Sequence, residues 1–253
     1  MLENNKYIQG WLSERDERRS EWALQNGVGR YHSDKTFDNY DGDVAVLKQW
    51  VEKPENSLLI RSENSGNGKT HLAVACVQGF TDVFVSKNHF TPLVLFVSFT
   101  KLLLAIRSTY ESNKGLISDA DIILTLGDID LLVVDDFGAE KCSEFVLSTL
   151  YAIFNSRYEN ALPTIFTTNL HGHEVEHNYT PRIWSRMKDG VVFDVSGIDR
   201  RGFGYGHSHF YEPMMTFRVL ERIKHMNKLL LERRNFMLSP NENKIDGIMV
   251  EFI

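Results

Sequence analysis

The sequence predicts an α/β fold, a parallel sheet of about five strands with helices on both faces. Three observations predict it. Short runs that are apolar throughout, such as Leu131–Val134, read as strands covered on both sides. Longer stretches of helical periodicity separate them. A glycine-rich turn joins one of these runs to a helix at Ser65–Thr70. The chain has 253 residues and 29.2 kDa, enough for one sizeable α/β domain with appendages or for two small domains. With 42% hydrophobic and 25% charged residues it matches a globular composition and excludes pervasive disorder.

Residues 1–30 read as a charged arm with Ile8, Trp11, Leu12 and Trp22 as large apolar positions, the first three at helical spacing. A polar stretch from Asn26 to Asp34 sets the arm apart. Leu58–Ile60 is the first strand, and a helix runs from Lys69 to about Phe80. Leu93–Val97 is the second strand, followed by a helix from about Thr100 to Ser112. Leu131–Val134 is the third strand, with a helix over Ser143–Tyr158. Thr164–Thr167, a helix over Pro181–Lys188 and a short strand Val191–Phe193 complete the domain. Residues 197–211 are glycine-rich and read as a loop. Residues 212–237 form a long amphipathic helix with Phe217, Leu220, Ile223 and Leu230 on its apolar side. Pro213 sits in its first turn, where a missing N–H does no harm. A loose tail begins at Ser239. The expected division is therefore an arm over 1–30, a core over 31–211, and a helix with tail over 212–253.

Charge excludes some functions. Lys and Arg total 28 against 34 for Asp and Glu, a formal charge of -6, so any nucleic-acid site must be a local patch. The two cysteines, Cys76 and Cys142, form no CxxC pair, which fits a reducing cytoplasm, and Cys76 reads as a core residue. The charged N-terminus has no apolar leader, and no apolar run is long enough for a membrane span.

Ser65-Gly66-Asn67-Gly68-Lys69-Thr70 follows a strand and opens a helix, the setting of a phosphate-binding loop. Glycines let backbone N–H groups turn toward phosphate oxygens, and the helix N-terminus adds partial positive charge. Lys69 would reach the β and γ phosphates of ATP, and Thr70 would place its hydroxyl on Mg²⁺. Glu63 stands where the pattern has its first glycine, so its carboxylate must point away from the phosphates or weaken binding. The competing reading is a glycine-rich turn that happens to precede a lysine.

Leu131–Val134 ends in Asp135-Asp136. At the end of a buried strand, Asp135 would hold Mg²⁺ through its water shell, and Asp136 would orient or deprotonate the attacking water. Most ATPases of this type have Glu at the second position, and Asp is one methylene shorter. Alone, the pair also reads as a helix cap. The strand Thr164–Thr167 leads into Thr168-Asn169, which places Asn169 to hydrogen-bond the γ-phosphate or the water.

The blocks GNGKTHLA, LLVVDDFGAEK, LYAIFNSRY, TIFTTNL and PRIWSRM, in that order and spacing, resemble the AAA+ ATPases of the DnaC, DnaI and IstB type. These are replicative helicase loaders and transposition helper ATPases. The resemblance covers about Tyr31 to Arg201. It implies an AAA+ strand order with a reduced lid, and an arginine finger at Arg186 that reaches the γ-phosphate of the neighbouring subunit. It implies more weakly a sensor arginine at Arg201, for which a surface salt bridge is the competing reading. The implied cofactors are ATP and Mg²⁺. The implied partners are a replicative helicase and single-stranded DNA, within an ATP-dependent homo-oligomer in the cytoplasm. Loaders usually carry a larger N-terminal helicase-binding domain, sometimes with zinc. The short arm and the long C-terminal extension resemble phage-encoded versions, or those of mobile elements. Two alternatives stand beside helicase loading. One is an IstB-like transposition helper acting on duplex DNA. The other is a nucleotide-dependent adaptor that does not hydrolyse ATP, suggested by Glu63 and Asp136.

Weaker signals complete the reading. His171, His173 and His177 read as solvated loop histidines rather than a metal site, as do His207 and His209. Helix 212–237 carries Arg218, Arg222, Lys224, Lys228, Arg233 and Arg234, a face for DNA or an acidic partner, or simply a solvated face. Phe203 and Tyr205 are candidates for base stacking or for packing. Trp11 and Trp22 read as a partner anchor in preference to packing on the core.

Overall fold

The computed structural model describes residues 10, 13–14, 19–88, 91–111, 117–138, 140–197 and 212–238. Five strands, β1 Ser57–Arg61, β2 Val94–Ser98, β3 Leu131–Phe137, β4 Thr164–Thr168 and β5 Gly190–Asp194, form one sheet in the order β2-β3-β4-β1-β5. Every pairing is parallel. All strand C-termini therefore lie along one edge, and each connection must cross a face of the sheet. The described helices are α1 Arg19–Gln25, α2 Ala45–Glu52, α3 Lys69–Asn88, α4 Phe99–Glu111, α5 Asp119–Asp128, α6 Glu144–Glu159, α7 Gly172–Tyr179, α8 Pro181–Met187 and α9 Glu212–Leu238, with a 3₁₀ turn over Arg30–His32.

Alternation along the strands divides the core in two. Leu58, Ile60, Val94, Phe96, Leu131, Val133 and Ile165 face α1, α2 and α3. Leu59, Leu95, Val97, Leu132, Val134 and Phe166 face α4 to α9. This two-sided covering is why the strands read as unbroken apolar runs. Cys76 lies fully buried in the first cluster, as expected, and burial raises its thiol pKa.

Local chemistry sets the helix starts. Ser143 Oγ caps α6 by accepting from Val146 N, and Thr180 caps α8 ahead of Pro181. Ser118 and Asp121 form a reciprocal capping box that starts α5. Helices α1, α2, α5 and α7 add to the sequence expectation. Helix α7 takes up the histidine-rich segment that reads as a loop, because Glu174 Oε2 accepts from His171 N at 2.7 Å at its first turn. No group of three metal-ligating side chains occurs among the described residues. Within LYAIFNSRY, Arg157 is fully buried. Its guanidinium donates to the carbonyls of Leu126, Ile129 and Pro163 and to Thr164 Oγ1, tying the end of α5 to the start of β4.

Two expectations about the flanking segments are corrected. Trp22 packs half-buried against the first core cluster beside the fully buried Ala23, so it folds back on the core rather than standing out as a partner anchor. The chain after α1 then joins the sheet margin. Phe96 N donates to Asn26 O at 2.7 Å, and Gly27 follows with φ +93°. A Cβ on Gly27 would lie 2.1 Å from Phe96 O, so only glycine fits. On α9, Leu220, Ile223 and Leu230 pack as expected, joined by Val219 and Met226, but Phe217 is 51% exposed. Most cations of this helix are engaged within the chain. Arg233 pairs with Asp130 at 2.9 Å, Arg234 with Asp128, Lys228 with Glu232 at 3.6 Å, and Arg222 donates to Leu24 O. Their partners explain why a continuous basic face does not form. Among the described residues no helix is long and apolar enough to cross a membrane. Trp11, Phe203, Tyr205, His207, His209, the loop from 198 to 211 and the tail from 239 lie outside the described residues.

Candidate functional site

A cleft of about 470 Å³ opens at the C-terminal edge of the sheet. Its floor is the turn between β1 and α3, represented by Ser65, Gly66, Gly68, Lys69 and Thr70. Asp135 and Asp136 enter from the end of β3, and Thr167 and Asn169 from the end of β4. Three blocks distant in sequence meet here because β3, β4 and β1 are neighbours in the sheet. Gly68 has φ +104°, a backbone conformation that favours glycine.

Lys69 is buried, and its Nζ donates to Asn64 O at 2.8 Å and to Asn67 Oδ1 at 3.3 Å. Thr70 Oγ1 lies 3.1 Å from both carboxylate oxygens of Asp135. Thr167 Oγ1 donates to Asp135 Oδ1 at 2.7 Å. Burial pushes the Asp135 carboxyl up to about 6, and the hydroxyls of Thr167 and Thr70 pull in the other direction. Asp136 is exposed to the cleft with φ +57°. Asn169 Oδ1 is buried and, among the described residues, has no hydrogen-bond partner.

Two residues in and before the loop face away from the cleft. Asn67 is fully buried and turns away from the cleft. Its amide donates to Ser62 Oγ and, at 3.1 Å, to Val195 O, so this side chain braces the loop against the segment after β5. Glu63 is exposed and lies outside the cleft lining, with its Oε1 3.5 Å from His171 Nε2. Its carboxylate thus points away from the phosphate turn, the first of the two outcomes open to it.

Arg186 lies outside the cleft. It donates through Nε and NH2 to Asn155 Oδ1 at 3.1 and 3.0 Å and stacks on Tyr158 with 4.0 Å to the ring centroid. Arg201 lies outside the described residues. The opposite wall of the cleft comes from Tyr31, His32, Lys35 and His71. The first three precede the phosphate turn by some thirty residues and carry no motif that would single them out. His71 directly follows Thr70, and its Nε2 lies 2.8 Å from Thr36 O, which anchors this wall to α3.

The model of the family described as IstB-like ATP binding protein matches residues 11–181, more than half of the chain. The chain belongs to this family. The match runs through the arm, the phosphate turn and the Asp135, Asn169 and α7 segments of the IstB-like domain. The replicative helicase loader DnaC of Escherichia coli K12 is 26% identical over 193 residues, 71% of this chain and 75% of DnaC. A crystal structure of the DnaC helicase loader superposes with a TM-score of 0.55 at 19% identity, covering 66% of this chain and 100% of that one. The replication initiator DnaA bound to AMPPCP and single-stranded DNA superposes with a TM-score of 0.53 at 18% identity, covering 84% of this chain and 67% of that one. The fold of the IstB-like domain is thus the AAA+ P-loop fold, as its motif blocks imply.

Proposed function

We propose that this IstB-like chain is an ATP-hydrolysing replication protein that loads or remodels a replicative helicase on single-stranded DNA, in the cytoplasm and in the service of a phage or mobile element. The observation that carries the proposal is the long alignment with DnaC, over 193 residues and 71% of this chain. The single-stranded DNA bound by DnaA supports the choice of DNA.

The cleft residues fit ATP with Mg²⁺. Thr70 and Asp135 offer a hydroxyl and a carboxylate side by side, the hard oxygen donors that Mg²⁺ takes, and Asn169, whose buried Oδ1 has no hydrogen-bond partner among the described residues, lines the same cleft. Bound there, Mg²⁺ would neutralise phosphate charge. Lys69 exchanges its loop carbonyl for phosphate oxygens. Asn169 hydrogen-bonds the γ-phosphate or the attacking water, and Asp136, exposed at the cleft, orients that water or takes its proton. Arg186 acts on the nucleotide of a neighbouring copy, consistent with its position outside its own cleft.

A steady-state ATPase assay with and without single-stranded and duplex DNA, paired with capture of the host helicase in ATP, tests this reading. Stimulation by single-stranded DNA and ATP-dependent capture of the helicase are expected. The family match itself favours a second reading, a transposition helper. Strong stimulation by duplex DNA with capture of a transposase would select it. Nucleotide binding without turnover under any condition would overturn both in favour of an adaptor.

A further inference from the structure

The pairing of β3 with β4 is irregular where it matters most. Val134 pairs with Phe166, but the next pair is Phe137 with Thr168. Two residues of β3, Asp135 and Asp136, therefore face one residue of β4, Thr167. This is a β-bulge, which leaves an extra residue out of the ladder and re-aims side chains. The bulged Asp136 takes φ +57°, a region that aspartate tolerates better than most residues. Its half-buried backbone N–H needs an acceptor.

Thr167 supplies that acceptor. Its side chain is 1% exposed, and Oγ1 accepts from Asp136 N at 2.8 Å. A threonine hydroxyl has one proton and two lone pairs, so it donates while it accepts. The proton goes to Asp135 Oδ1 at 2.7 Å. One hydroxyl thus connects the backbone of one carboxylate residue to the side chain of the other, while Thr70 approaches Asp135 from the phosphate turn.

We propose that Thr167 is a positioning residue that sets both acidic groups of the nucleotide site, holding the Asp135 carboxylate through its O–H and the bulged Asp136 backbone through its lone pair. The nucleotide roles in this statement rest on the function proposed above. The hydrogen-bonded link itself does not. Valine is nearly isosteric with threonine but has a methyl group in place of the hydroxyl, so Thr167→Val preserves packing and removes both bonds. Serine keeps the hydroxyl and loses only a methyl group.

The test compares Thr167→Val and Thr167→Ser with the parent protein in two measurements. The first is hydrogen exchange at the Asp136 amide without nucleotide. Exchange should accelerate at least about tenfold in the valine variant and stay near the parent in the serine variant. The second is affinity for a fluorescent ATP analogue with and without Mg²⁺. In the valine variant the Mg²⁺-dependent gain in affinity should fall about 10- to 100-fold, the range for groups that orient a metal ligand, with metal-free affinity unchanged. The serine variant should retain the gain. If valine matches the parent in both measurements, or serine fails as badly as valine, the hydroxyl is not the positioning element and the proposal is overturned. If the valine variant does not fold, Thr167→Ala takes its place and is judged by the same contrast with serine. A parent protein showing no Mg²⁺-dependent binding would sink the nucleotide reading, while the exchange contrast would still decide whether Thr167 holds the bulge.

Discussion

Lys69 and the two aspartates concentrate the chemistry of the cleft in three side chains. Lys69→Ala should lower ATP affinity on the order of 10²-fold, because charge-assisted hydrogen bonds to phosphate contribute about 1.5–3 kcal/mol each. Titration calorimetry reads this directly, and an unchanged affinity would remove the phosphate-loop assignment. Asp136→Asn should keep nucleotide binding and lose turnover, since an amide takes no proton from water. Asp135→Asn should instead weaken the Mg²⁺-dependent part of binding. Equal effects of the two changes on binding and turnover would refute this division of roles. Asp135 also predicts a pH dependence. Its carboxyl rises from 3.8 to about 6 on folding, chiefly through burial. Between those values the folded chain holds more protons than the unfolded one, so metal-free stability falls as pH rises from about 4 to about 6. Mg²⁺ requires the carboxylate, so Mg²⁺-dependent binding is lost in the opposite direction, as pH falls through about 6. Urea unfolding of the metal-free protein across this window should show the slope, and Asp135→Asn should abolish it.

Helix α1 and helix α9 meet at the β2 margin of the sheet, where Arg222 donates to Leu24 O and Asn26 O accepts from Phe96 N. Both flanking segments are therefore tied to the core by contacts that neither segment makes alone. Deleting residues 1–25 removes the buried Ala23 and the packed Trp22. Compared with a deletion of residues 1–18, it should lose roughly 2 kcal/mol more stability, the scale of one or two buried apolar side chains. Thermal or denaturant unfolding of the two truncations measures the difference, and equal stabilities would show that α1 contributes nothing to the fold. The reading of Trp11 as a partner anchor is tested by the shorter deletion. If that protein still captures the helicase, docking belongs elsewhere on the chain, with the exposed side of α9, carrying Phe217, Lys224 and Leu231, as the next surface to examine.

Assembly is where Arg186 takes its proposed role. Its guanidinium lies outside its own cleft, stacked on Tyr158 and held by Asn155. A planar fork of donors suits the γ-phosphate of an adjacent copy. Arg186→Ala should bind ATP nearly normally yet hydrolyse it on the order of 10³-fold more slowly. Mixing gives the sharper test. Lys69→Ala subunits retain Arg186 but not ATP, and Arg186→Ala subunits retain ATP but not the finger. Mixed assemblies should recover part of the activity. If light scattering shows mixed oligomers and no activity returns, Arg186 is a structural residue of the α6–α8 contact.

Much of this domain is legible in the chain because its signals are local. The middle of β1, most of β2 and the first four residues of β3 are buried apolar runs that need no partner to be recognised. The phosphate turn needs two glycines, a lysine and a threonine in succession, and the acidic strand end needs two adjacent carboxylates. Such contiguous patterns also carry the family resemblance. What stayed hidden depends on contacts between distant residues. Tyr31, His32 and Lys35 line the cleft only because the segment before β1 folds across the start of α3. Asn67 sits inside the motif yet turns inward, because Ser62 and Val195 satisfy its amide there. The basic look of helix α9 dissolves against Asp128 and Asp130, about a hundred residues earlier. The bulge at Asp135-Asp136 adds one residue to a strand without altering its apolar pattern, so neither it nor the place of Thr167 has a sequence signature. A hydrogen bond between strands is decided by register, and register is a property of two strands packed together rather than of either one.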